Sequence, residues 1–102
     1  MSSRIVEHAL LTVTPGREEE FEHAFGLARP IISGMPGFRE LTLLRGIESV
    51  STYLLLVGWD SVDDHEIGFR GSPQYQEWRA LLHEFYDPFP LVEHFAAISS
   101  LG

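Results

Sequence analysis

The run "TYLLLVGWD", residues 52–60, sets the problem that any fold of this chain has to solve. Read as a strand, it places Tyr53, Leu55, Val57 and Trp59 on one face and Leu54 and Leu56 on the other, because side chains alternate along extended backbone. Both faces are apolar, so both need cover. The cover has to come from a chain of 102 residues, which is enough for one domain, residues 1–102, with one continuous core.

The flanking segments say what the cover is made of. "RIVEHALLTVT" mixes β-branched and apolar residues and stops at Pro15-Gly16, as a first strand does. Next, Phe21, Ala24, Phe25, Ala28, Ile31 and Ile32 recur at helical spacing, behind Glu18, Glu19 and Glu20 in the first turn, where the helix dipole favours carboxylates. Pro30 should kink or end that helix, since it offers no amide donor. "FRELTLLRG" reads as a second strand with Arg39, Leu41, Leu43 and Arg45 on one face and Phe38, Glu40, Thr42 and Leu44 on the other. Only "IESVS" separates it from residues 52–60, which predicts an antiparallel pair.

Ser61, with Asp64 three residues on, predicts a capped short helix over residues 62–69. Ser72-Pro73 repeats the start signal for a helix whose stripe is Tyr75, Trp78, Leu81, Leu82, Phe85 and Tyr86, with Pro88 and Pro90 to end it. Residues 91–99 form a last strand. The order β-α-β-β-α-β is α+β and ferredoxin-like: a four-stranded antiparallel sheet with helices on one face. Helices on one face leave the other apolar face bare, and a second copy packed sheet against sheet is its simplest cover, so a homodimer is expected.

Charge and composition narrow the function. Seven Lys+Arg against fifteen Asp+Glu give a net charge of -8, which argues against nucleic acid and against an anionic membrane surface. With no cysteine there is no disulfide, thiolate metal site or Cys nucleophile. "MSSRIVEHALLTV" is interrupted by Glu7 and His8 and does not read as a signal peptide, which makes the cytoplasm the default expectation. No Gly-rich phosphate loop or nucleophile elbow is present.

"LLLVGWDS", "GFRGSPQYQEW" and "PLVEHF" together resemble the antibiotic biosynthesis monooxygenase family of the dimeric α+β barrel superfamily. The resemblance runs over most of the chain and implies the barrel-forming dimer. Its cofactor-free members imply a pocket between sheet and helices within each subunit. In that pattern a tryptophan closes strand three, where Trp59 stands, and a polar aromatic follows six residues along, where His65 stands. The polar amide that such enzymes carry on strand three is replaced on that face by Leu55. The haem-degrading branch needs an Asn where this chain has His8-Ala9, so the resemblance implies no cofactor.

On this reading His65 is the catalytic candidate, placed at the rim of the pocket. Trp59, Leu55, Val57, Tyr75 and Trp78 are the substrate-binding candidates: three aromatics to stack on a flat ring and two aliphatics for a dry wall. The cavity is expected to be mostly apolar and the largest in the subunit. Core filling is the competing role for each aromatic, and a solvated helix face for His65. His8 and His94, in matching "VEH" triplets on neighbouring strands, could approach each other, but Glu7 and Glu93 alternate to the opposite face, so they make no metal site. The implied activity is a cofactor-independent monooxygenase acting on an aromatic, phenolic or quinone-like metabolite. A non-catalytic carrier or sensor of a small apolar metabolite is the alternative.

Overall fold

Residues 52–60 do become a doubly flanked strand. In the computed structural model, which describes residues 5–86 and 88–99, β3 (Thr52–Trp59) lies between β2 (Phe38–Arg45) and β1 (Ile5–Thr12), and β4 (Val92–Ala96) pairs with the far side of β1. The sheet order is β2-β3-β1-β4 and every pairing is antiparallel. Arg4, which the sequence placed in the first strand, lies outside the described residues, as does the N-terminal part of the segment judged not to be a signal peptide.

Two helices, α1 (Glu18–Ser33) and α2 (Pro73–Leu82), cover one face. Their apolar stripes meet the inward side chains of the sheet and each other: Phe21 sits 4.8 Å from the Tyr53 ring, and Phe25 of α1 packs edge-on against Trp78 of α2 at 5.7 Å. Ala9, Leu11, Val13, Leu41, Tyr53, Leu55, Val57 and Trp59 complete that core. Ser72 caps α2 by accepting from the Tyr75 amide at 3.2 Å, with Pro73 in the first turn, as the sequence requires. The stripe outlasts the α-helix, which gives way to a 3₁₀ turn at His83–Phe85.

Three local readings need correction. Pro30 does not end α1, which runs on to Ser33; an exposed proline in the last turn forfeits a single bond there and the helix tolerates it. Phe38 does not lie opposite Leu41, because a β-bulge between Phe38 and Glu40 shifts the register and swings Phe38 edge-on to Trp59 at 6.0 Å. The short helix over residues 62–69 is wound at Asp64–Phe69 as a π-helical turn, with the Arg70 amide donating to the His65 carbonyl at 3.0 Å. Its capping signal holds, since the Asp64 amide donates to Ser61 Oγ. Gly37, at φ 83°, lets the chain pass close by: a Cβ there would stand 2.3 Å from the Asp64 carboxyl carbon.

Among the described residues nothing covers the outer face of the sheet. Leu10, Leu44 and Phe95 are each about half exposed there, beside half-buried Leu54 and Leu56. Among the described residues no helix is long and apolar enough to cross a membrane.

Candidate active site

Inward positions on β1 run Glu7, Ala9, Leu11, and the first of these is a carboxylic acid in an otherwise apolar row. Glu7 is 5% exposed. It pairs in register with Val57 on β3 and with His94 on β4. Its Oε1 accepts from the Trp59 indole Nε1–H at 3.0 Å, and His65 Nε2 lies 3.2 Å from the same oxygen. His65 reaches this point from the π-helical turn, 3% exposed, with its ring stacked on Trp59 at 5.5 Å and an interplanar angle of 21°. Its other nitrogen, Nδ1, is 2.8 Å from His94 Nε2.

Burial decides the charges of this pair. Removal from water pushes Glu7 up to about 7, against the pull of the Trp59 hydrogen bond and the nearby Arg70 cation, which favour its ionised form. The same desolvation, with Arg70 and His94 nearby, pushes His65 down to about 3. Near neutral pH the imidazole is therefore uncharged, and Glu7 is divided between acid and carboxylate. A carboxyl group so balanced suits proton transfer at physiological pH.

The pair opens on a cavity between sheet and helices. Leu55, Phe69, Tyr75 and Trp78 form much of its wall, with Arg70 and Phe89 beside them. The Arg70 Nε is buried without a hydrogen-bond partner among the described residues, and the guanidinium lies 5.8 Å from the Phe89 ring centre. The cavity volume is about 30 Å³, room for a water or two. A concavity of about 220 Å³ lies on the outer face around Leu10, Leu44 and Leu54, so the expectation that the inner cavity is the largest fails. Close aromatic packing accounts for the difference: Phe69 meets both Tyr75 and Trp78 edge-on, at 5.3 and 5.7 Å.

Of the residues singled out in the sequence, His65, Leu55, Tyr75 and Trp78 come together around this cavity. Trp59 and Val57 do not line it. Both are fully buried, and Trp59 stands behind the pair, holding Glu7 by its N–H and His65 by its ring face. His65 is not at the rim but in the interior, so it carries packing as well as chemistry. His8 and His94 do not meet. The antiparallel register sets His8 against Glu93 and Glu7 against His94, so Glu7 and His94 share the inner face without any bulge. Among the described residues no group of three or more His, Cys, Asp or Glu could hold a metal ion.

A polar dyad buried between the sheet and helices of a ferredoxin-like α+β layer is the candidate site, and likeness to known proteins gives the family. The family description for antibiotic biosynthesis monooxygenase matches residues 4–81, and the chain belongs to that family. It is 56% identical over 89 residues to the uncharacterised Bacillus subtilis (strain 168) protein YczJ, a match covering 87% of this chain and 94% of that one. A crystal structure from Bordetella bronchiseptica that carries the family's name superposes with a TM-score of 0.91 at 38% identity, over 95% of this chain and 99% of the other. SnoaB of Streptomyces nogalater, a cofactor-independent oxygenase, superposes with a TM-score of 0.83 at 22% identity over 98% of both chains, a likeness of fold.

Proposed function

We propose that this protein is a cofactor-independent monooxygenase acting on an aromatic, phenolic or quinone-like metabolite. The supporting observation is the Glu7–His65 pair set in the wall of an aromatic-lined cavity. Ionised Glu7 accepts the acidic proton of the substrate, while Trp59 Nε1–H and neutral His65 steady the carboxyl group. The resulting phenolate or enolate is electron-rich and adds dioxygen at carbon. The proton returns to the peroxide, whose O–O bond breaks as water leaves with the remaining hydrogen of that carbon. One oxygen atom ends as a carbonyl, the other as water, and all four electrons that reduce dioxygen come from the substrate carbon. Arg70 offsets the anionic charge, Tyr75 and Trp78 stack on the ring, and Leu55 keeps the site dry. Trp59 and Val57 serve from behind the wall. Admitting a ring requires the Tyr75 and Phe89 side chains to draw apart, because the cavity as it stands holds only a water or two.

The SnoaB description supports this reading by analogy of fold. Incubation with anthrone- and dihydroxynaphthalene-type substrates should consume one dioxygen per carbonyl formed. Identical product profiles with and without oxygen would remove the oxygenase. The small cavity and the aliphatic Leu55 favour a second reading, a carrier or sensor of a small apolar metabolite; native mass spectrometry showing a retained ligand without turnover would select it. Either reading includes a cytoplasmic setting and a homodimer, with the outer face around Leu10, Leu44, Leu54, Leu56 and Phe95 covered by a second copy.

A further inference from the structure

The Glu7–His65 pair lines a narrow, aromatic-walled cavity, and the chain of polar contacts does not stop at His65. His65 Nδ1 is 2.8 Å from His94 Nε2, and His94 Nδ1 is 3.8 Å from Glu66 Oε1. Exposure rises along this series, from 3% for the His65 side chain to 14% for His94 and 47% for Glu66. Each imidazole stands between two polar neighbours, one on each ring nitrogen. Three elements supply the members: β1 gives Glu7, the π-helical turn gives His65 and Glu66, and β4 gives His94. Their convergence depends on the β1–β4 register, which places His94 opposite Glu7.

We propose that His94 and Glu66 form a proton path joining the buried Glu7–His65 pair to solvent. Outward transfer moves three protons: Glu7 O–H to His65 Nε2, His65 Nδ1–H to His94 Nε2, and His94 Nδ1–H to Glu66 and water. Both rings exchange tautomers, neither keeps a charge, and Glu7 is left as a carboxylate. The reverse shift restores the acid. The 3.8 Å step is closed by one bridging water or a small movement of the exposed Glu66 side chain. Among the described residues Arg70 and the titratable His83 also line the cavity, and the Arg70 cation disfavours an imidazolium at His65. A neutral relay therefore fits the site better than a charged one. His94 and Glu66 touch no substrate; they set how fast Glu7 regains its working form.

The path rests on the base assigned under the proposed function but is measured without substrate, so the two can fail separately. In ¹⁵N-histidine-labelled protein, His65 should change from the Nδ1–H to the Nε2–H tautomer as Glu7 ionises. Its ring N–H should exchange with water at least tenfold more slowly in His94→Gln, which keeps a hydrogen-bonding group beside His65 but cannot hand a proton across. Glu66→Gln, an exposed change that leaves the fold alone, should slow the same exchange severalfold. A single His65 tautomer throughout the Glu7 titration, or exchange unchanged in both folded variants, would overturn the path. Slowed exchange in a protein that never consumes oxygen would uphold the path and remove only the oxygenase.

Discussion

The two ends of β3 carry the same device in different surroundings. At one end Tyr53 donates its hydroxyl to Glu22 at 2.5 Å; at the other Trp59 donates its indole N–H to Glu7 at 3.0 Å. Tyr53 and Trp59 are both buried, lie on the same strand face and serve the same core. Glu22, however, is about half exposed and also holds Arg45 at 3.4 Å, so water and a cation share its charge. Glu7 has neither. Its partners are an indole and a neutral imidazole, and the structure holds its acid form up to about 7. A buried polar group without a full counter-charge costs stability, and that cost marks the end of the strand where chemistry is sited.

Removing the tryptophan should have the largest effect. Trp59→Ala deletes a side chain with no solvent exposure and strips Glu7 of a donor, and should cost about 3–5 kcal/mol in urea unfolding. A loss below about 1 kcal/mol would mean that Trp59 is not the support described above.

Separating the buried pair by pH should come next. Glu7, raised from 4.5 to about 7, contributes stability that is full below pH 4.5 and is lost as pH rises through 7. His65, lowered from 6.5 to about 3, contributes stability that is full above pH 6.5 and is lost as pH falls through 3. Between about pH 4.5 and 6.5 the two slopes oppose and cancel. Glu7→Gln should remove the opposing slope and expose that of His65, up to about 1.4 kcal/mol per pH unit, so stability climbs from pH 3 to 6.5. Conversely, His65→Gln should leave stability falling from pH 4.5 to 7. Chemical denaturation across that range reads both slopes, and matching flat profiles in the two variants would break the contrast between the strand ends.

Tyr53→Phe should have the smallest effect. It removes one bond to a glutamate that keeps Arg45 and solvent, so the cost should stay at or below about 1 kcal/mol. A loss matching that of Trp59→Ala would show that the exposed end is as dependent on its hydroxyl as the buried end is on its indole.

How much of this could be read from the chain depends on which physics was local. Strand alternation in residues 52–60, the spacing from Phe21 to Ile32 and the Ser72-Pro73 start are written in neighbouring residues, and they define the sheet and the helices, while the family resemblance rests on "LLLVGWDS", "GFRGSPQYQEW" and "PLVEHF". The site was only half legible. Leu55, Tyr75 and Trp78 were drawn to one cavity because strand and helix periods aim them there, and His65 was named from the family resemblance. Glu7 was passed over, although a charge at the first inward position before Ala9 and Leu11 was a usable signal. His94 could not be placed, because its meeting with His65 depends on the β1–β4 register, a long-range quantity that no local pattern carries. Nor could spacing foretell the bulge at Phe38 or the π-helical turn that brings His65 inside.

The chemistry of the site turns on one carboxyl group. A ¹³C-detected pH titration of the Glu7 side-chain carboxyl in the folded protein should give a midpoint near 7, displaced by Trp59→Phe as the stabilising indole donor is lost. A midpoint near 4.5 would make Glu7 an ordinary solvated acid and contradict the assignment of the site.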